Sequence, residues 1–309
     1  MATVETERDQ QTARRATEPP QPGVQVGASA LNLLNGGFLL LWGLVTTLPL
    51  LWAILSAFKR ESEFLNDPLG LPSGLQWDNF ARAWVNADIG RYFVNSLIVV
   101  SMSLTLTMLL SAMAAYVLAR YDFPGNRIVY FSFVVGLIFP VFLALVPLFF
   151  IVRDTANLPV IGQFLGLNSF VSLAIVYAAF SLPFTVFFLT AFFRTLPHTI
   201  AEAAIVDGCS HFTLFWRVML PMAKPGLISL ALFNFLGHWN QYILPVTLMG
   251  DRDSRVLAQG IASLAVNQGY RGDWTALFAG LVIALLPILV VYVLFQKKVQ
   301  AGLTAGLLK

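Results

Sequence analysis

The sequence predicts an all-α polytopic membrane protein with six transmembrane helices. Three observations lead there. Apolar residues make up 57 % of the 309 residues and charged residues only 11 %, against about 25 % charged in ordinary soluble domains. A bilayer core about 30 Å thick takes about 20 apolar residues per helix. Six stretches meet that length: Leu31 to Phe58, Phe93 to Ala119, Ile128 to Val152, Phe170 to Phe193, Gly226 to Met249 and Trp274 to Phe295. None of them contains Asp, Glu, Lys or Arg.

The elements follow in order. Residues 1–30 are polar and carry Pro19, Pro20 and Pro22. Such a stretch buries too little apolar area to offset its ordering entropy, so it reads as a disordered tail with no secretory signal. The six-span region covers 31–296, and 297–309 forms a C-terminal tail. With both termini inside, the inner segments hold eleven Lys and Arg residues and the outer segments eight. That bias places both termini in the cytoplasm. The outer loop from Lys59 to Tyr92 is long and has its own turn residues and aromatics: Pro68, Gly70, Pro72, Trp77, Phe80 and Trp84. Pro140, Pro147, Pro183, Pro245 and Pro287 each remove a backbone donor from a span and predict kinks.

The inner loop, 194–225, is patterned for structure. Thr199-Ile200-Ala201-Glu202 has capping-box spacing, which predicts a short helix through Val206. Gly208 supplies the left-handed residue that ends it. Ser210 caps a second helix over Phe212 to Leu220, and Pro221 stops it. Two short helices therefore meet at a glycine corner. They are either an amphipathic hairpin lying on lipid, with Glu202 a mere cap, or a knob that docks into a partner's groove. The residues alone leave both open.

Several function classes drop out. The formal charge of +3 includes no dense basic run, so no nucleic acid partner is expected. Cys209 is the single cysteine, which rules out an internal disulfide and a cysteine metal cluster. No phosphate-binding G-x-x-x-x-G-K-[ST] loop occurs. His198, His211 and His238 are far apart in sequence, and no nucleophile–base pair stands out. The spans hold no ionisable residue except His238, whereas ion-coupled carriers place such groups at membrane depth. That argues against a secondary transporter. In span five, Asn234, His238 and Gln241 are spaced to share a helical face, with Trp239 and Asn240 beside them. This face either bonds to neighbouring helices or lines a path, where its amides and imidazole would meet sugar hydroxyls and Trp239 a sugar ring.

Glu202-Ala203-Ala204, then Asp207-Gly208, then Val218-Met219-Leu220-Pro221, resembles the glutamate–alanine–alanine loop of binding-protein-dependent ABC importer permeases. Val218 stands where that family has Ile. Asn95-Ser96, Tyr116 through Gly125, Ser181 to Phe184, Trp239-Asn240 and Gln300 to Gly306 resemble the carbohydrate, maltose-permease-like group. The likeness covers about residues 45–309. Val256 to Tyr270 and Gln300 to Lys309 are similar to actinobacterial permeases for N-acetylglucosamine or its short oligomers. The resemblance implies a type I importer permease in a bacterial cytoplasmic membrane, paired with a second, homologous permease. It implies two ATPase subunits, which carry the ATP and Mg and dock on Glu202, Ala203, Ala204, Asp207, Gly208, Val218, Leu220 and Pro221. It further implies a solute-binding protein on the outer face and a sugar, or another solute, as cargo. The chain itself is expected to bind no cofactor and catalyse no reaction.

Overall fold

The computed structural model describes residues 23–305, with side chains for 32–266 and 272–296. Among these residues all regular structure is helical. Residues 1–53 and 54–309 form two compact units. The first holds most of α1 (Gly23–Ala57), whose large apolar side chains from Leu33 to Leu51 are exposed. Residues 1–22 of the expected tail lie outside the described residues.

The second unit opens with a structured loop. Lys59 is 1 % exposed and donates to the Asp67 and Pro68 carbonyls at 3.0 and 2.8 Å. Asn79 donates to the carbonyls of Ala57 and Lys59, both at 2.8 Å. These bonds fold α2 (Glu61–Asn66) and α3 (Asp78–Ala81) into a compact cap. The long α4 (Ile89–Arg120) follows and packs along α7 (Phe170–Thr195), the most extensive helix pair of the unit. Ser169 caps α7 by accepting from the Ser172 amide. Then come α8 (His198–Val206), α9 (His211–Met222), α10 (Lys224–Trp239), α11 (Ile243–Leu248), α12 (Leu257–Arg271) and α13 (Trp274–Ala305).

Four helices are long and apolar enough to span a bilayer: Asn32–Ala57, Ile89–Arg120, Phe170–Thr195 and Trp274–Gln296. The two remaining spans depart from the continuous helices expected. Span three is broken into Asn126–Ile138 and Val141–Thr155, at a bend of 103°; these are α5 and α6. Pro140 sits in the break, where Phe139 is extended, as the residue before a proline prefers. Span five ends as a helix at Trp239 rather than running on to Met249. Pro245 lacks the amide that a continuous helix would aim at the Gln241 carbonyl, and its ring would clash there. It fits instead in the first turn of α11, where no such amide is needed. Pro147, Pro183 and Pro287 lie inside helices that run through them.

Candidate functional site

The loop 194–225 is built by its glycine and its prolines. Leu196 is extended before Pro197, and Pro197 (φ −59°, ψ 134°) opens α8 one residue ahead of His198. Thr199 therefore lies inside the first turn, and the capping box expected between Thr199 and Glu202 is not made. Gly208 takes φ +83° as expected. Its amide donates to the Ile205 carbonyl at 2.9 Å, and the Cys209 amide to the Ala204 carbonyl at 3.0 Å. That pair of bonds is a Schellman closure, which needs a left-handed residue between helix and exit.

Ser210 caps α9, accepting from the Thr213 amide at 3.2 Å, as its position predicted. Pro221 does not stop α9. A π-helical stretch, Leu214–Met219, widens the turn ahead of it, and the helix runs to Met222. The break falls at Ala223, between Pro221 and Pro225, with a bend of 74° into α10.

Glu202, Ala203, Asp207 and Gly208 are exposed, and Ala204 is half-buried. Behind them the loop is fastened to the bundle. Leu214, Phe215 and Met219 are buried with Tyr116 of α4 and with Leu189 and Phe193 of α7. Ala201, Ala204, Val218 and Leu220 pack against the same cluster. Each large side chain buried from water is worth about 1.5–3 kcal/mol, more than any single cap here. Pro221 stays exposed. The outcome is a small-residue surface on α8 carried by a stiff, glycine-cornered hairpin.

A second polar feature lies between α4, α7 and α10. His238 is 6 % exposed, and its two ring nitrogens are hydrogen-bonded to Ser103 and Ser181, each at 2.8 Å. Asn234, 5 % exposed, donates to the Thr185 hydroxyl at 3.0 Å and to the Leu230 carbonyl at 2.9 Å. Trp239 is buried between Phe93 and Phe235 and donates to the Ala284 carbonyl at 3.1 Å. In this conformation all three are engaged by protein. Asn240 and Gln241 lie beyond the last residue of α10, exposed and half-buried respectively. Gln241 thus does not share the helical face of Asn234 and His238, because the helix ends before reaching it.

At the opposite end of the bundle the structure adds Glu61, Arg82 and Asp273, which the sequence did not single out, and gives partners to Asn95 and Ser96. Glu61 accepts from the amides of Trp274 and Thr275, both at 3.1 Å, and so caps α13 from a distance. Arg82 binds Asp273 at 3.0 Å. Burial pushes the Asp273 carboxyl up, but hydrogen bonds from Arg82 and the Ala276 amide outweigh it and hold the group below its ordinary value. Asn95 donates to the carbonyls of Asp253 and Arg255 at 2.9 and 2.8 Å. Ser96 accepts from the Leu257 amide at 2.8 Å. The N-terminal end of α4 therefore orders residues 253–257.

Residues 107–304 match a family model described as binding-protein-dependent transport system inner membrane component. The diacetylchitobiose uptake system permease protein NgcG of Streptomyces coelicolor is 47 % identical over 273 residues, covering 88 % of this chain and 87 % of that protein. The trehalose transport system permease protein SugB of Mycobacterium tuberculosis is 30 % identical over 262 residues, covering 85 % and 92 %. A chain of a solved bacterial ABC transporter involved in the import of the acidic polysaccharide alginate superposes with a TM-score of 0.73 at 19 % identity. It covers 91 % of this chain and 99 % of that one, and it shares the type I importer permease fold.

Proposed function

The chain belongs to the binding-protein-dependent transport system inner membrane component family, and on that premise we propose that it forms half of the translocation path of an ATP-driven importer for short N-acetylglucosamine oligomers. The observation that carries the cargo class is the 47 % identity, over nearly the full length, to a diacetylchitobiose permease. The other half of the path is a second, homologous permease. Two ATPase subunits hold ATP and Mg and dock on the α8–α9 corner, where exposed Glu202, Ala203 and Gly208 allow close approach. A solute-binding protein delivers the sugar to the other face.

The path itself runs along α10. Asn234 and His238 bind neighbouring helices in the conformation described above, and the same groups meet sugar hydroxyls when the seam parts. Asn240, Gln241 and Trp239 lie at its end. The experiment for cargo is uptake of labelled diacetylchitobiose by a strain lacking this gene. Uptake drops to background, returns on complementation, and resists excess trehalose in the complemented strain. Undiminished diacetylchitobiose uptake in the deletion strain would assign the importer another solute.

Orientation follows from the loop's role. Both termini and the α8–α9 corner face the cytoplasm, because a docked ATPase must reach them. A Val206→Cys probe in a Cys209→Ser background tests this, since Val206 is 86 % exposed. An impermeant maleimide leaves it unlabelled in intact cells and labels it after permeabilisation. Labelling in intact cells reverses the orientation.

A further inference from the structure

The loop that meets the ATPase is joined through the chain to α7 and α10, yet its firmest polar ties run to a third helix. The last residue of α4, Arg120, donates through Nη2 to the Leu196 carbonyl at 2.6 Å. Leu196 is the residue on which α7 ends and after which α8 begins. The next residue in the chain, Tyr121, shares a hydrogen bond of 2.9 Å with Nδ1 of His211, and the two rings meet edge to face. His211 is the first residue of α9. Arg120, the last residue of α4, and Tyr121, the residue after it, thus hold the loop at Leu196, just ahead of α8, and at His211, the start of α9.

The clasp is backed by aromatic packing. Tyr116 sits one turn earlier on α4, against Tyr121, Phe193 and Phe215. Nη2 of Arg120 makes the tie to Leu196 alone, and its Nε and Nη1 have no acceptor among the described residues. At its other end the same helix, about 48 Å long at 1.5 Å per residue, orders residues 253–257 through Asn95 and Ser96.

We infer that Arg120 and Tyr121 are positioning residues that couple α4 to the ATPase-docking loop, making α4 a transmission rod from that loop to the outer face. The inference rests on the importer reading. When ATP drives the loop, α7 and α10 follow through the chain, and the clasp is the polar tie to α4, beside the packing of Tyr116 on Phe215 and of α4 along α7. The middle of α4 carries Ser103, the partner of His238, so the rod passes the polar seam on its way out. Cutting the clasp leaves the loop docked and the ATPases working while α4 lags.

The test uses the whole complex, purified with its second permease and ATPases and reconstituted with its binding protein and diacetylchitobiose. Tyr121→Phe keeps the ring contact and loses the hydroxyl; His211→Leu removes the other partner; Arg120→Leu removes the second tie and Arg120→Lys keeps a donor. The expected result is unchanged complex yield, near-normal ATP turnover, and uptake per ATP down about fivefold, as a coupling of ordinary size gives. The Tyr121→Phe, His211→Leu double variant is no worse than His211→Leu alone, which already removes both the bond and the ring contact. Arg120→Lys recovers part of the loss. Unchanged uptake per ATP in the Tyr121→Phe and Arg120→Leu variants overturns the inference. So does a fall of yield, turnover and uptake in parallel, which marks a contact that only stabilises. The unmutated complex run alongside separates the two readings: absence of ATP-driven uptake there overturns the importer reading and the clasp with it.

Discussion

Gly208→Val is expected to abolish transport while leaving the protein in the membrane. Gly208 holds φ +83° in the Schellman closure of α8. An ordinary residue pays about 1–2 kcal/mol for the left-handed region, and a β-branched one more. The cost is pure backbone strain, because a Cβ at this position meets nothing within 4 Å. Relief comes by rotating out of the left-handed well, which breaks the amide bonds of residues 208 and 209 and re-aims α8 relative to α9. The bundle is spared, since its buried contacts to the loop come from Leu214, Phe215 and Met219, beyond the corner. Uptake should fall more than tenfold at near-normal membrane yield, with the ATPase lost on purification. A left-handed turn accepts Asn, so Gly208→Asn should keep uptake within about threefold. Normal uptake by Gly208→Val would remove the corner from the coupling route. Equal loss in Gly208→Asn would place a partner surface directly against the glycine.

The contrast between these positions and others shows what the sequence makes legible. Gly208 could be read because a glycine after a short helical pattern answers a local need, the left-handed exit, and local needs leave local signatures. Ser210 is the same case. Four of the six spans were readable as continuous helices because each must present about 20 apolar residues to lipid whatever its neighbours do. The failures share a cause as well. Thr199 and Glu202 have the spacing of a capping box, but Pro197 two residues earlier pre-sets the helix start, and the stronger backbone constraint wins. Pro221 reads as a stop, yet a π turn upstream absorbs it. Pro140 and Pro183 look alike in sequence; one sits in a 103° break and the other inside an unbroken helix. A proline does not by itself encode which of the two it makes. Glu61 capping α13, or Arg82 on Asp273, joins residues about two hundred positions apart. No local pattern announces such a pair, and Asn95 and Ser96 stood out only through family likeness. The seam is intermediate. The spacing of Asn234 and His238 predicted a shared face, and they share one; Gln241 was counted with them because the end of α10 was not visible.

Replacing Asn234 and His238 together by Leu is expected to cut transport about tenfold while the complex still assembles, a loss within the ordinary range of conformational coupling. The magnitude argument runs through the hydroxyls left behind. Ser103 already donates to the Val100 carbonyl and Thr185 to that of Ser181, within their own helices. Losing the cross-helix partner therefore strands neither of these two, and leaves the half-buried Ser181 hydroxyl, which bonded His238, to find a new acceptor. Side-chain hydrogen bonds between membrane helices average about 0.6 kcal/mol, so the three ties to Ser103, Ser181 and Thr185 are together worth about 2 kcal/mol. Leu also fits an apolar helix and returns part of that by packing. Assembly with the second permease, read as complex yield, should fall less than twofold. Transport is different, because Leu at both positions removes every polar group that α10 itself offers at this depth of the seam. On the path reading, diacetylchitobiose uptake falls about tenfold and selectivity against a second sugar shifts, with ATPase stimulation by the loaded binding protein retained. On the bonding reading, yield and uptake of both sugars fall together. Gln241→Leu is the companion measurement: that residue lies past the helix end and off the shared face, so uptake should stay within about twofold. Unaltered uptake and selectivity in the double Leu variant would take this face out of the translocation path and leave the seam as helix packing alone.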